Sequence, residues 1–156
     1  MRYRVIGQHH DILGPIVNCG LAIPSLNIRH ILPFMLDTGA AVSMVSHYFA
    51  LILNVDFSDS SRLRRTQPLG GIGGLIDSYL VEDASIAFFT EENYLATYSF
   101  NPWTFRITKV EHPDEAERER IIRQTPVNII GRDLLLEQAI QFYYSRNGVV
   151  LEIEIS

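Results

Sequence analysis

An aspartate closes an otherwise apolar run, Phe34-Met35-Leu36-Asp37-Thr38-Gly39-Ala40, and it is the residue of this sequence with the clearest chemistry to offer. A carboxylate at the end of a buried strand is costly unless its oxygens find donors. The Thr38 hydroxyl and the Gly39 backbone N–H stand where they can supply them. A residue without a side chain also lets a water or a second chain approach closely. Two further segments follow in order: Gly70-Gly71-Ile72-Gly73-Gly74, and Thr125-Pro126-Val127-Asn128-Ile129-Ile130-Gly131-Arg132-Asp133-Leu134-Leu135. The glycine cluster reads as a hairpin tip, because glycine tolerates positive φ. It does not read as a nucleotide loop. Gly71-Ile72-Gly73 is followed by Gly74, Leu75 and Ile76, which supplies neither the third glycine of a dinucleotide loop nor the Lys-Ser/Thr of a P-loop.

Taken in this order, the three segments closely resemble the retroviral aspartic proteases, the retropepsins. Leu36-Asp37-Thr38-Gly39-Ala40 resembles their active-site loop, and Gly70 to Gly74 their flap tip. Pro126 to Leu135 resembles the strand and helix that close their fold. The resemblance implies Asp37 as the catalytic carboxylate, with Thr38, Gly39 and Ala40 supporting its loop and Thr38 reaching across to a partner's loop. It implies a lid at Gly70, Gly71, Ile72, Gly73 and Gly74, with the Ile72 N–H offered to substrate. It also implies a structural role for Gly131, Arg132 and Asp133. Asp-Thr-Gly occurs once in the chain, and Asp-Ser-Gly not at all, so one chain carries half a site. The family's solution is a C2 homodimer, which makes a peptide or protein the expected substrate and needs neither metal nor cofactor.

Two such carboxylates side by side share one proton and titrate as a pair, which suits them to activate a water against a peptide carbonyl. Met35, Val42, Met44, Pro126, Val127 and Ile129 are expected to line the cleft and favour apolar residues around the cut bond; core packing is the alternative for any one of them. Alanine at position 40 cannot donate toward the carboxylates as a serine would, so activity is expected in weakly acidic conditions. Ala41 departs from the family, which commonly has an aspartate there to pair with the arginine of Gly-Arg. Arg132 therefore needs another partner, with Asp133 or the second subunit as candidates. This departure keeps a second possibility open, a dimeric peptide-binding or assembly module with the protease fold and little turnover.

The elements that must position these residues read as strands for the most part. Runs at 3–8, 15–23 and 28–36 carry β-type patterns, with Pro33 marking an edge or irregular position. A short helix is expected from Ser46 to Asn54 with Ser46 as N-cap, then a long hairpin from Thr66 to Phe89. A charged helix is expected from His112 to about Gln124, held by Ile121 and Ile122 and laced by Asp114–Arg118 and Glu119–Arg123 pairs. A strand at 127–130, a helix capped by Asp133 and a final hairpin around Arg146-Asn147-Gly148 complete the chain. The fold class is mainly β: a closed, mostly antiparallel, barrel-like acid-protease fold with short helices. It is read as one domain over 1–156, with an insertion at about 90–124. The spacing from Asp37 to Gly131, 131 − 37 = 94 residues, is longer than in compact viral enzymes, as in a cellular or prokaryotic relative.

Composition bounds what else the protein can be. With 13 basic and 18 acidic residues the net charge is −5, which argues against nucleic acid as a partner. One cysteine, Cys19, excludes an internal disulfide and a multi-cysteine zinc site; it is expected to pack as a small apolar group. Apolar runs fall short of the ~20 residues that cross a bilayer, so no membrane partner and a cytoplasmic location are expected. His9-His10-Asp11 is expected to be surface or loop, because neighbouring strand residues face opposite ways. His47 is expected at the surface or as a cap, and Arg62, Arg64 and Arg65 as a solvated basic patch.

Overall fold

The computed structural model describes residues 1–69 and 76–155, and for 67–69 the backbone alone. The chain begins with two long strands, β1 (Arg2–His10) and β2 (Gly14–Ile23). A 3-10 turn at Pro24–Leu26 leads into β3 (Ile28–Leu36), with Asn27 at φ 55° closing the turn. Next come β4 (Met44–Val45) and helix α1 (His47–Ile52), followed by β5 (Arg64–Leu69), β6 (Ile76–Val81), β7 (Ser85–Phe89), β8 (Leu95–Ser99) and β9 (Phe105–Val110). Helix α2 (Glu115–Gln124), β10 (Asn128–Ile130), α3 (Arg132–Leu135), β11 (Gln141–Ser145) and β12 (Gly148–Glu154) complete it.

The strands join in the order β11-β12-β1-β2-β3-β10-β4-β9-β6-β5, with β7 on the second edge of β2 and β8 on β7. The mainly β, mostly antiparallel architecture is as read from sequence. Among the described residues the order is an open path rather than a closed ring. Two pairings are parallel, β10 with β3 and β4 with β9. Both lie in the centre, where the chain returns after long excursions and a tight hairpin is impossible. Pro33 sits where its stretch of β3 is bonded to β2 alone, because the β10 ladder starts at Phe34. That is the edge position that a residue without an N–H requires.

Strand alternation sorts the central sheet into two faces. One carries Phe34, Leu36, Ile130, Val45, Ile107, Tyr79 and Val81, which are buried in the main core with Phe88 and Phe105. On the other, register aligns Met35 with Ile129, Ile129 with Met44, Met44 with Arg106 and Arg106 with Leu80. All five are half-buried. Four residues beyond Arg106 on this face, Val110 pairs with Ile76, and there Ile121 and Ile122 of α2 form a second, smaller apolar cluster with them.

Several expectations are corrected. The hairpin expected over 66–89 is shorter: β5 pairs with β6, while β7 leaves to pair with β2 and β8. The segment at 90–124 holds two ladder strands, β8 and β9, besides the charged helix α2. Asp114 does not pair with Arg118; its carboxylate caps α2 by accepting from the Ala116 and Glu117 N–H groups, the better use of an acid at a helix start. Arg118 donates instead to the His112 carbonyl, and the close ion pair on this helix is Arg120–Glu117 at 2.7 Å. Glu119 and Arg123 do approach, at 4.0 Å. The basic patch is not merely solvated. Arg62 pairs with Asp59, Arg65 with the buried Asp77 at 2.6 Å, and Arg64 stacks 3.6 Å over Trp103. Cys19 is fully buried, and burial holds its thiol proton far more tightly than usual.

Candidate active site

Asp37 stands one residue past β3, and the β3–β10 ladder carries it there. Its backbone N–H donates to the Ile130 carbonyl at 3.0 Å, one rung beyond the last strand pair. The chain then turns, with the Ala40 N–H donating to the Asp37 carbonyl at 3.2 Å. The Gly39 N–H donates to Asp37 Oδ1 at 2.8 Å, one of the two donors expected from sequence; the other, the Thr38 hydroxyl, makes no bond to this carboxylate. A Cβ on Gly39 would lie 3.0 Å from that oxygen, so the small residue keeps this approach open. Asp37 is half-buried, and Thr38 and Gly39 are exposed. The carboxylate therefore sits at a rim rather than in a closed chamber.

The loop after Asp37 is clasped by Gly131, Arg132 and Asp133. The Arg132 N–H donates to the Ala40 carbonyl at 2.8 Å, and the Gly131 N–H to Ser43 Oγ at 3.0 Å. Ser43 in turn donates through its N–H to Asp133 Oδ2 at 2.9 Å and through its hydroxyl to Asp133 Oδ1 at 2.6 Å. Arg132 Nη1 donates to the Thr38 carbonyl at 2.9 Å. This settles one of the open choices for Arg132. Asp133 is engaged by Ser43, and the guanidinium goes to a backbone carbonyl of the loop after Asp37. Asp133 also does not cap α3, whose N-cap is Gly131.

Asn128 ties the two ends of this arrangement. Fully buried, it donates to the Pro33 carbonyl at 2.9 Å and accepts from the Ser46 N–H at 3.0 Å. It thereby joins β3, β10 and the start of α1. Ser46 occupies the N-cap position, as expected, but its buried hydroxyl makes no capping bond.

His47 is not at the surface: only 7% of it is exposed. Its Nδ1 accepts from the Val110 N–H at 2.9 Å, which continues the β4–β9 ladder beyond Val45. Its ring meets Phe57 edge-on. Burial lowers its pKa from 6.5 to about 4, helped by Lys109 and Arg118 and opposed by Glu111. The unfolded chain takes up this proton near pH 6.5, and the folded one refuses it until about pH 4. Stability from this residue is therefore fully present above pH 6.5 and falls as the pH drops toward 4. The loss should reach about 2–3 kcal/mol. Urea unfolding at pH 7 and pH 4 should show that loss in the wild type and a correspondingly smaller one in His47→Asn; equal losses in both would remove His47 as the cause.

Of the expected wall residues, Met35, Ile129 and Met44 share one face on three adjacent strands, and Val42, Pro126 and Val127 are half-buried nearby in sequence. Gly70, Gly71, Ile72, Gly73 and Gly74 lie outside the described residues. Ser43 and Asn128 carry no individual role in the reading from sequence, and His47 only that of a surface residue or cap. A serine six residues after the aspartate has no periodic or motif signal, and only the fold reveals that it meets Asp133. Among the described residues, no cluster of three or more His, Cys, Asp or Glu side chains is arranged to hold a metal ion. No helix among them is long and apolar enough to cross a membrane.

No protein-family profile matches the sequence, and no curated protein matches it. Solved structures do. A retropepsin-like aspartic protease from Rickettsia conorii aligns over 100% of this chain and 95% of its own, with a TM-score of 0.52 at 13% identity. The EIAV protease complexed with the inhibitor HBY-793 aligns over 83% of this chain and 93% of its own, with a TM-score of 0.43 at 16% identity. The first of these likenesses identifies the mainly β architecture as the retropepsin-like fold.

Proposed function

We propose that this protein is an aspartic endopeptidase, acting as one domain whose working unit is a pair of identical chains that each contribute Asp37. The observation that carries this reading is the placement of Asp37: a half-buried carboxylate at a rim, fixed through Oδ1 by the Gly39 N–H at 2.8 Å. A lone carboxylate so placed can position a water but cannot also protonate the carbonyl that the water attacks. A second copy related by a two-fold axis brings the missing acid. The two carboxylates then hold one proton between them, as is general for aspartic proteases. The ionised one takes a proton from water as the oxygen attacks the peptide carbonyl. The protonated one donates to the carbonyl oxygen, and a proton later passes to the departing amine.

The half-buried face of Met35, Ile129 and Met44, with Val42, Pro126 and Val127, would receive apolar side chains flanking the cut bond. The segment Gly70 to Gly74 would close over the peptide. The test is cleavage of a mixed peptide library at graded protein concentrations between pH 4 and pH 7, alongside sedimentation. Specific activity should rise with concentration and level off where the dimer predominates. Full activity from solitary chains would overturn the two-chain site. Peptide binding without cleavage at any pH would favour a binding module instead.

A further inference from the structure

The face that carries the apolar row also carries a cation that meets no counter-charge among the described residues. Arg106 of β9 is in register with Met44 of β4 and so projects on the same side as Met44, Ile129 and Met35. The residue is half-buried. Its Nη1 reaches Ser78 Oγ at 3.4 Å, a long contact, and its Nε is buried with no hydrogen-bond partner. No carboxylate of the described residues lies within 4.0 Å of it, whereas Arg65, on the opposite face of the neighbouring hairpin, holds Asp77 at 2.6 Å. A guanidinium cannot shed its proton, and a buried donor left unpaired is costly. The position therefore favours whatever brings an acceptor to it.

We propose that Arg106 forms an anion-binding subsite of the cleft that takes the carboxylate side chain of an aspartate or glutamate in the peptide substrate. This rests on the peptidase reading above and narrows its substrate class. Neighbouring strands are about 4.8 Å apart, and an extended peptide advances about 3.3 Å per residue and repeats its facing every second residue. The acidic residue accordingly falls two positions beyond the apolar residue seated near Met44. The planar fork of the guanidinium suits a carboxylate and binds a neutral amide less well. In a protein of net charge −5, a cation here also supplies local attraction against a repulsive background.

The experiment compares peptides that differ only in Glu, Gln or Lys at positions about two to four residues from the cut bond. Wild-type protein, Arg106→Met, Arg106→Lys and Arg106→Glu are each checked for an unchanged melting profile. The Glu-over-Gln ratio of kcat/KM should be about 10 in the wild type, intermediate in Arg106→Lys and close to 1 in Arg106→Met. Arg106→Glu should prefer Lys. Equal use of Glu and Gln peptides by the wild type, or a Glu preference that survives in folded Arg106→Met, overturns the assignment while leaving the peptidase reading intact. If no peptide is cut at all, the peptidase reading fails on its own, and binding of the same labelled peptides followed by fluorescence polarisation still decides. Equal binding of Glu and Gln peptides overturns the subsite; Glu-selective binding lost in Arg106→Met supports it.

Discussion

Asp37→Asn is expected to lower kcat/KM on any peptide that the wild type cuts by about 10³-fold or more, in a protein that melts within a few degrees of the original. The second half of this expectation makes the first informative. Asparagine keeps an oxygen in the place of Asp37 Oδ1, so the 2.8 Å bond from the Gly39 N–H survives. The Asp37 N–H bond to the Ile130 carbonyl belongs to the backbone and is untouched. What disappears is the capacity to lose and regain a proton, in both members of the proposed pair at once. Kinetics on the best library peptide together with a melting curve separate the outcomes. Wild-type turnover by the asparagine variant would remove Asp37 from the reaction. A large drop in melting temperature would show that the side chain was structural.

Gly131→Ala should be the most damaging single-methyl change at the site, destabilising the protein by about 3 kcal/mol. The φ of this residue, −100°, suits any amino acid; the difficulty is space. A Cβ would sit 2.7 Å from the Ala40 carbonyl oxygen, 2.8 Å from the Val42 oxygen and 2.9 Å from the Val42 carbonyl carbon. All three are backbone atoms of the loop that follows Asp37, and none can swing aside as a side-chain tip can. Relief requires the loop or α3 to move, which breaks some of the bonds by which Ser43, Arg132 and Asp133 clasp it. Molecules that still fold should cleave about 100-fold more slowly, because the carboxylate is displaced from its working position. Urea midpoints and kcat/KM test both parts; an alanine variant within 0.5 kcal/mol of wild type would show that the loop yields easily.

The fold was legible where local pattern and tertiary role coincide. Asp37-Thr38-Gly39 announced a turn that binds its own carboxylate, and Asn147-Gly148 a hairpin. Ile121 and Ile122 were visible as the only anchors of an otherwise charged helix. The reading failed where distant segments compete for one side chain. Asp133 looked like a helix cap until Ser43, 90 residues away, claimed both its oxygens. His47 looked like a surface residue at a helix start, yet the short β4 strand leaves the Val110 N–H in need of an acceptor, and the imidazole fills that need. The hairpin expected over 66–89 is longer than the observed one because β7 has the same alternating pattern whether it continues the arm of β6 or, as it does, turns away to pair with β2 and β8. Arg106 was invisible as a site residue, because register across four strands places it beside Met44 and no sequence spacing encodes that.

Residues 1 and 155 meet. The Met1 amino group donates to the Ile155 carbonyl at 3.1 Å, and the Ile155 N–H returns a bond to the Met1 carbonyl at 3.0 Å. Strands β12 and β1 thus stand as two arms of a hairpin that lacks only its loop. A few glycines joining 155 to 1, with a new opening in the exposed polar turn at Ser60 and Ser61, would give a circularly permuted gene encoding every ladder described above. The order in which the strands are translated is therefore separable from the contacts that hold Asp37, and the two can be varied independently.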